Sequence, residues 1–201
     1  MESLKNLDSL LEPDPRNTCF GPQSLEGLHE HAALVTVAAS APEAVRDYVE
    51  TTKNQFVFSW YHAPFAAIAA FQATMAMEMA LRLRYPKPGR DRRGLSSLLE
   101  QATKNGVFDD DAKGFLSVCR TTWLNRFTGI DEEAADQFSV EHFPEFVRSN
   151  LLRMRNGFAH PDQHTVVIAS HALEVLTMAV AVINSAWSSS PARVSGEHTK
   201  K

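Results

Sequence analysis

The sequence predicts an all-α fold: an up-and-down helical bundle in one domain, preceded by an irregular arm and followed by a flexible tail. Three observations carry that expectation. Inward-facing residues recur at helical spacing in one segment after another, as in Val45, Tyr48, Val49, Thr52 and Phe56. Helix-start and helix-stop residues punctuate these segments, with Ser40-Ala41-Pro42-Glu43 reading as a start and Asn105-Gly106 as a stop. The last long stretch, Val166 to Trp187, is nearly all apolar, which suits a helix buried on most sides. At 201 residues the chain suits one domain with a real core and leaves no room for a second catalytic one. The expected boundaries are an arm over 1–24, the helical domain over 25–187 and the tail over 188–201.

The arm holds Pro13, Pro15, Gly21 and Pro22 among polar groups, so it is not expected to be a core element. Its Leu4, Leu7, Leu10 and Leu11 are helically spaced and can pack either on the body or on a second subunit. A short helix is expected from Leu25 to Ala39, with Leu28, Ala32 and Val35 in phase. His29-Glu30-His31 invites a metal reading, but residues two apart on a helix face different ways, so no metal site is expected. Ser40 should cap the next helix, with Glu43 as its box partner, and that helix should run to Trp60. The aromatic cluster Phe56, Phe58, Trp60, Tyr61 and Phe65 lacks interleaved Lys or Arg, so core packing is expected rather than base stacking.

Pro64 to Tyr85 is the longest continuous helix expected, with polar groups confined to Gln72, Thr74, Glu78, Arg82 and Arg84. Glu78 stands in an otherwise apolar tract and has two readings. It can pair with Arg82 at the favoured i, i+4 spacing, or it can hold Arg155 in place, because a buried charge needs a partner. Tyr85 to Gly94 is a loop by its prolines, glycines and charges. Its Arg90, Arg92 and Arg93 form a basic segment in an acidic protein and are candidate phosphate contacts, although a solvated loop needs no ligand. Ser96 or Ser97 should cap the helix that stops at Asn105-Gly106. Asp109-Asp110-Asp111 then opens another helix; contiguous acids cannot all point inward, so capping explains them better than a cation site. Phe115, Val118, Trp123, Leu124 and Phe127 continue the apolar pattern, Gly129 to Ser139 is an acidic excursion, and Ser139 to His142 reads as a further cap. In the final helix His171, Glu174, Thr177 and Asn184 form a narrow polar seam, which favours a buried helix over a membrane span.

A net charge of −4 and a pI near 6.1 argue against a general nucleic-acid coat and leave room for a local basic site. Two cysteines, Cys19 and Cys119, give neither a disulfide framework nor a metal spacing. Met1-Glu2-Ser3-Leu4-Lys5 lacks a basic stretch followed by an apolar run, so no signal peptide and a cytoplasmic location are expected. The sequence holds no internal repeat, no Gly-rich phosphate loop and no nucleophile elbow.

One stretch combines a cation, an amide, a glycine hinge and a titratable ring: Arg153-Met154-Arg155-Asn156-Gly157-Phe158-Ala159-His160-Pro161. Upstream, Phe143, Phe146, Val147, Asn150, Leu151, Met154 and Phe158 recur at helical spacing, so Arg155 belongs near the end of an amphipathic helix that Gly157 and Pro161 terminate. Five residues on an ideal helix turn about 140° past a full turn, which would point Arg155 and His160 apart; a break at Gly157 removes that obstacle. The pair suits a phosphodiester, because His moves a proton near neutral pH and the Arg fork matches phosphate oxygens. An Arg-Asn pair at a helix end is also a common C-cap, and a His before Pro a common turn residue.

Arg155-Asn156-x-x-x-His160, closing a helix ahead of a nearly all-apolar final one, resembles the signature of the HEPN superfamily, an Arg and a His separated by a few residues, often with a polar residue after the Arg. Phe71 to Arg82 is similar to the long helix with an interior Glu in that family, and Leu98 to Val107 to the short helix after it; the likeness covers roughly residues 43 to 187. The resemblance implies a homodimer in which two copies of the motif face each other across a two-fold interface. It implies a metal-independent, cofactor-free endoribonuclease that cuts RNA and not DNA by attack of the 2′-hydroxyl on the adjacent phosphorus. His160 would move the proton, Arg155 would stabilise charge on the phosphorane and Asn156 would orient the phosphate or the His. Glu78 would support Arg155 from behind, and Arg90, Arg92, Arg93 and Arg153 are the candidate RNA contacts. Relatives act as toxins, in antiviral defence and in stress responses, so a regulatory or antitoxin partner is implied. In the branch controlled by a nucleotidyltransferase antitoxin, a Tyr two positions after the His is modified; Asp162 stands there in this chain. The rival reading is a non-catalytic HEPN-like dimer that binds a nucleotide or a partner protein.

Overall fold

A computed structural model describes residues 4–17, 24–89, 91–107, 156 and 169–188. Over these residues the chain is all-α, with no strand among them. Among the described residues a 3-10 turn, Leu7–Ser9, lies in the arm and is followed by α1 (Leu25–Leu34), α2 (Glu43–Phe58), α3 (Pro64–Arg84), α4 (Leu95–Lys104) and α5 (Ala169–Ser188). The expected helix at Asp109–Asp111, the apolar pattern of 115–127, His142, Asp162 and the residues after Ser188 lie outside the described residues.

α3 and α5 make the most extensive contact, and α2 packs along α3. Their composition explains why. Buried alanines recur every seven residues on both α3 (Ala66, Ala73, Ala80) and α5 (Ala172, Ala179, Ala186), and small side chains let two helix backbones approach. Around this seam the largest fully buried side chains are Leu28 of α1, Val45 and Phe56 of α2, Met77 and Leu81 of α3, Leu98 and Leu99 of α4, and Leu176 and Ile183 of α5. By length and composition α3 and α5 could each cross a membrane, yet more than half of each is packed inside the protein. Buried threonines return their hydroxyls to their own helices, Thr52 to Tyr48 O at 2.8 Å and Thr74 to Phe71 O at 2.7 Å.

Several helix ends differ from expectation for local reasons. α1 stops at Leu34, although Leu28, Ala32 and Val35 are all buried as the spacing required. Val35, Thr36 and Val37 are β-branched and favour extended backbone, and Asn184 of α5 holds that conformation. Its Nδ2 donates to Thr36 O at 2.9 Å and its Oδ1 accepts from Ala38 N at 2.7 Å. Ser40 does not cap α2; the N-cap is Pro42, so the helix starts at Glu43 and the expected capping box does not form. Ser96 and Ser97 likewise sit inside the first turn of α4, whose N-cap is Gly94. The stop at Asn105-Gly106 is as expected. Gly106 takes φ 70°, Val107 N donates to Ala102 O at 3.1 Å and Gly106 N to Thr103 O at 3.0 Å, a Schellman closure.

The arm is more firmly held than its composition suggested. Asp14 and Asn17 are buried at the α2–α3 corner. Asn17 Nδ2 donates to Ser59 O at 2.7 Å and Trp60 O at 2.9 Å, while Asp14 N donates to Trp60 O at 2.8 Å. The Asp14 carboxylate accepts from Ala63 N at 2.8 Å, which caps α3 from across the fold and places a negative charge at its positive end. Arg16 returns to the same carboxylate at 2.6 Å.

Candidate functional site

Of the residues singled out in the sequence, Arg155, His160, Arg153 and Arg90 lie outside the described residues. Asn156 is described: it is helical and exposed. Glu78, Arg92 and Arg93 are placed in full.

Glu78 is buried on α3 and makes the expected intrahelical pair with Arg82; its other reading, toward Arg155, lies outside the described residues. Arg82, one turn on, donates from Nη2 to Glu78 Oε1 at 2.6 Å. The pair does more than neutralise an interior charge. Arg82 Nη1 also donates to Asp91 O at 3.1 Å, and Nη2 reaches Arg93 O, so one guanidinium ties the end of α3 to the loop that follows it.

That loop is organised by Asp91 and Arg93. Asp91 Oδ1 accepts the Arg93 backbone N–H and Nε, both at 3.0 Å, and Oδ2 accepts Nη2 at 2.6 Å. The remaining Arg93 donors reach Gln101 Oε1 on α4 and Tyr85 O at the end of α3. The Arg93 hydrogen bonds hold the Asp91 carboxyl well below the usual carboxylate range, and Asp91 in turn raises the Arg93 guanidinium. Arg93 therefore faces inward, whereas Arg92 and Lys87 face solvent. Arg84 lies over the Trp187 ring at 5.5 Å, a cation–π contact between α3 and α5. Burial raises the neighbouring Tyr85 hydroxyl, with Arg84 acting in the opposite direction.

The same device closes the arm. Asp14 Oδ1 accepts the Arg16 backbone N–H at 3.0 Å and Nε at 2.9 Å, and Oδ2 accepts Nη2 at 2.6 Å. Both sites are Asp-x-Arg turns in which an Asp accepts the backbone two residues on and grips the same residue's side chain. The spacing stands in the sequence at Asp14-Pro15-Arg16 and Asp91-Arg92-Arg93, and it is the signal that a count of basic residues in the loop overlooks.

Among the described residues, grooves open between helices. One, of about 470 Å³, is lined by the apolar or aromatic Leu25, Val57, Phe58 and Tyr61 and by Glu26, His29 and Glu30. Another, of about 360 Å³, lies between the end of α1 and α5, where His31 and Leu34 face Leu173 and Thr177. His29 and His31 thus open onto different grooves, as two residues that close on a helix must, and no cluster able to hold a metal occurs among the described residues. The aromatic cluster is divided. Phe56 is buried and Trp60 half-buried as core packing required, but Phe58 and Phe65 are exposed beside the first groove and corner. Compared with family models, curated proteins and solved structures, the chain matches none of them.

Proposed function

We propose that this chain is a metal-independent endoribonuclease of HEPN type, a cytoplasmic homodimer built as a helical bundle. The observation that carries the reading is the Arg155-Asn156-x-x-x-His160 motif of the sequence, whose Asn156 is helical and exposed. The RNA 2′-oxygen bonds to the adjacent phosphorus as His160 moves its proton. Arg155 neutralises the phosphorane and the 5′-oxygen departs with a proton, leaving a 2′,3′-cyclic phosphate. These steps need no metal and no cofactor, and they exclude DNA because they need the 2′-hydroxyl. Arg90, Arg92 and Arg153 are the basic groups proposed for the RNA backbone. Arg93 instead positions the loop that carries Arg90 and Arg92, and Glu78, which braces the same loop through Arg82, is the carboxylate proposed to support Arg155. A role in defence or as a toxin under a regulatory partner follows from the same likeness.

A second reading, a non-catalytic dimeric module for a nucleotide or a partner protein, is favoured by one observation. In a chain of net charge −4, Arg82, Arg84 and Arg93 are engaged internally, which thins the basic surface available to RNA. Incubating RNA with wild type and His160→Ala in EDTA separates the two. The nuclease reading requires cleavage that survives chelation and disappears in the variant; the module would bind without cutting in either form.

A further inference from the structure

The loop between α3 and α4 keeps its carboxylate inside and part of its positive charge outside. Asp91 is held by two guanidiniums, Arg93 at 2.6 Å and Arg82 at 3.7 Å, and Arg82 also pairs with Glu78 at 2.6 Å. Lys87 and Arg92 are exposed, and neither has an ion-pair partner among the described residues. In a chain of net charge −4, this loop therefore turns cations to solvent while Glu78 and Asp91 are already neutralised.

Both cations sit where the backbone has little freedom. Lys87 lies between Pro86 and Pro88, so the first proline fixes the residue before it and the second disfavours helical backbone at Lys87 itself. Arg92 is the middle residue of the Asp91-Arg92-Arg93 turn, whose ends are joined where Asp91 accepts the Arg93 backbone N–H and side chain. Gly89 turns the chain between the two cations at φ 79°, a conformation that glycine adopts without steric strain. Arg93 also reaches Tyr85 O and so closes the loop at its base. A cation held in place loses less freedom on meeting an anion than one on a mobile loop does.

We propose that Lys87 and Arg92 are a preset pair of contacts for the phosphate backbone of RNA, and that Asp91 is the residue that positions them. The Arg92 fork matches phosphate oxygens and Lys87 supplies a point charge. Contacts to phosphate carry no sequence information, so this pair binds without regard to sequence. A carboxylate thus promotes the binding of a polyanion, because it orders two cations while cancelling the charge of Arg93 alone. The proposal rests on the RNA reading of this chain and adds Lys87 and Asp91 to it.

Fluorescence anisotropy of the full chain with a labelled 2′-O-methyl oligouridine, which cannot be cut by 2′-oxygen attack, tests it over a range of salt. Lys87→Ala and Arg92→Ala should each weaken binding roughly five- to tenfold at 0.1 M salt and flatten the salt slope by about 0.7–1, the effect of one phosphate contact. Asp91→Ala makes the net charge more positive by one, which on charge alone would tighten binding; the expected result is weaker binding with a flatter slope. Gly89→Ala keeps every charge, and its added Cβ meets nothing within 4 Å, so it should weaken binding through the backbone alone. Binding by Asp91→Ala as tight as wild type or tighter, an unchanged slope in Lys87→Ala, or no binding of the probe at all would each overturn the proposal. Should Asp91→Ala fail to fold, Gly89→Ala decides, and wild-type affinity there would overturn it. Cleavage of RNA with an unaltered KM in Lys87→Ala would overturn this proposal and leave the nuclease reading intact, whereas loop-dependent binding without cleavage would do the opposite.

Discussion

The Glu78 carboxylate accepts a 2.6 Å hydrogen bond from Arg82 one helical turn later, and the same guanidinium reaches the backbone of the loop beyond the helix. A buried carboxylate in an apolar helix is thereby turned into a clasp between α3 and the loop. Removing the cation leaves Glu78 buried without this partner. Because Arg82 is 32% exposed and partly screened, Arg82→Met is expected to cost about 1–2 kcal/mol, between surface and interior values. Glu78→Gln, which still accepts a hydrogen bond, should cost less. Urea unfolding of the two variants and their double mutant checks this, with coupling between the two sites as the expected result.

Asp14 gives the protein an acid-sensitive joint. Its carboxyl is held well below the usual range, chiefly by the Arg16 side chain and helped by the Ala63 and Arg16 backbone N–H groups, against the effect of burial. A folded-state value below the unfolded value of about 3.9 means that the stabilisation is fully present above that value and is lost as pH falls toward the folded one. Thermal unfolding from pH 6 down to pH 2 should therefore show Tm falling in wild type from about pH 4 downward. In Asp14→Asn the fall should be shallower, from a starting stability lower by about 1–2 kcal/mol, the usual worth of a helix cap and its charge.

What the sequence made legible was local. The stop at Asn105-Gly106 needs only a left-handed glycine, and the inward set Val45, Val49, Thr52 and Phe56 needs only helical spacing. What it hid depends on distant partners. Val35 to Ala38 leave the helical pattern because Asn184, remote in sequence, supplies the hydrogen bonds that extended backbone requires. The start of α3 is capped by Asp14, which reads as an arm residue until the fold brings it to Ala63. For the candidate site, the Arg155-to-His160 spacing is legible in the sequence. Arg93's inward turn is not, because a charge count treats Arg92 and Arg93 alike while Asp91 selects only the second.

Asn184 should accordingly be among the most sensitive polar positions of α5. Asn184→Ala removes hydrogen bonds to both Thr36 and Ala38 and is expected to cost about 1–3 kcal/mol, read as a lower Tm. Asn184→Asp keeps an acceptor for Ala38 N but sets an anion against Thr36 O, so it should not restore wild-type stability.

Arg92 and Arg93 should separate binding from stability. On the nuclease reading, Arg92→Ala weakens RNA binding across sequences and lowers the salt slope by about one, with Tm unchanged. Arg93→Ala removes the hydrogen bonds to Asp91, Gln101 and Tyr85 and should lower Tm first. Filter binding at several salt concentrations, alongside thermal unfolding, distinguishes the two.

The most direct test of the account is the chemistry of the cut. Wild-type protein in EDTA is given an RNA that it cleaves and the same RNA with a 2′-deoxy residue at the scissile position, and the ends are identified by mass spectrometry. The account predicts a 2′,3′-cyclic phosphate from the first and no cleavage at that position in the second. Cleavage of both, ends bearing a 5′-phosphate, or binding without cleavage of any RNA would contradict it.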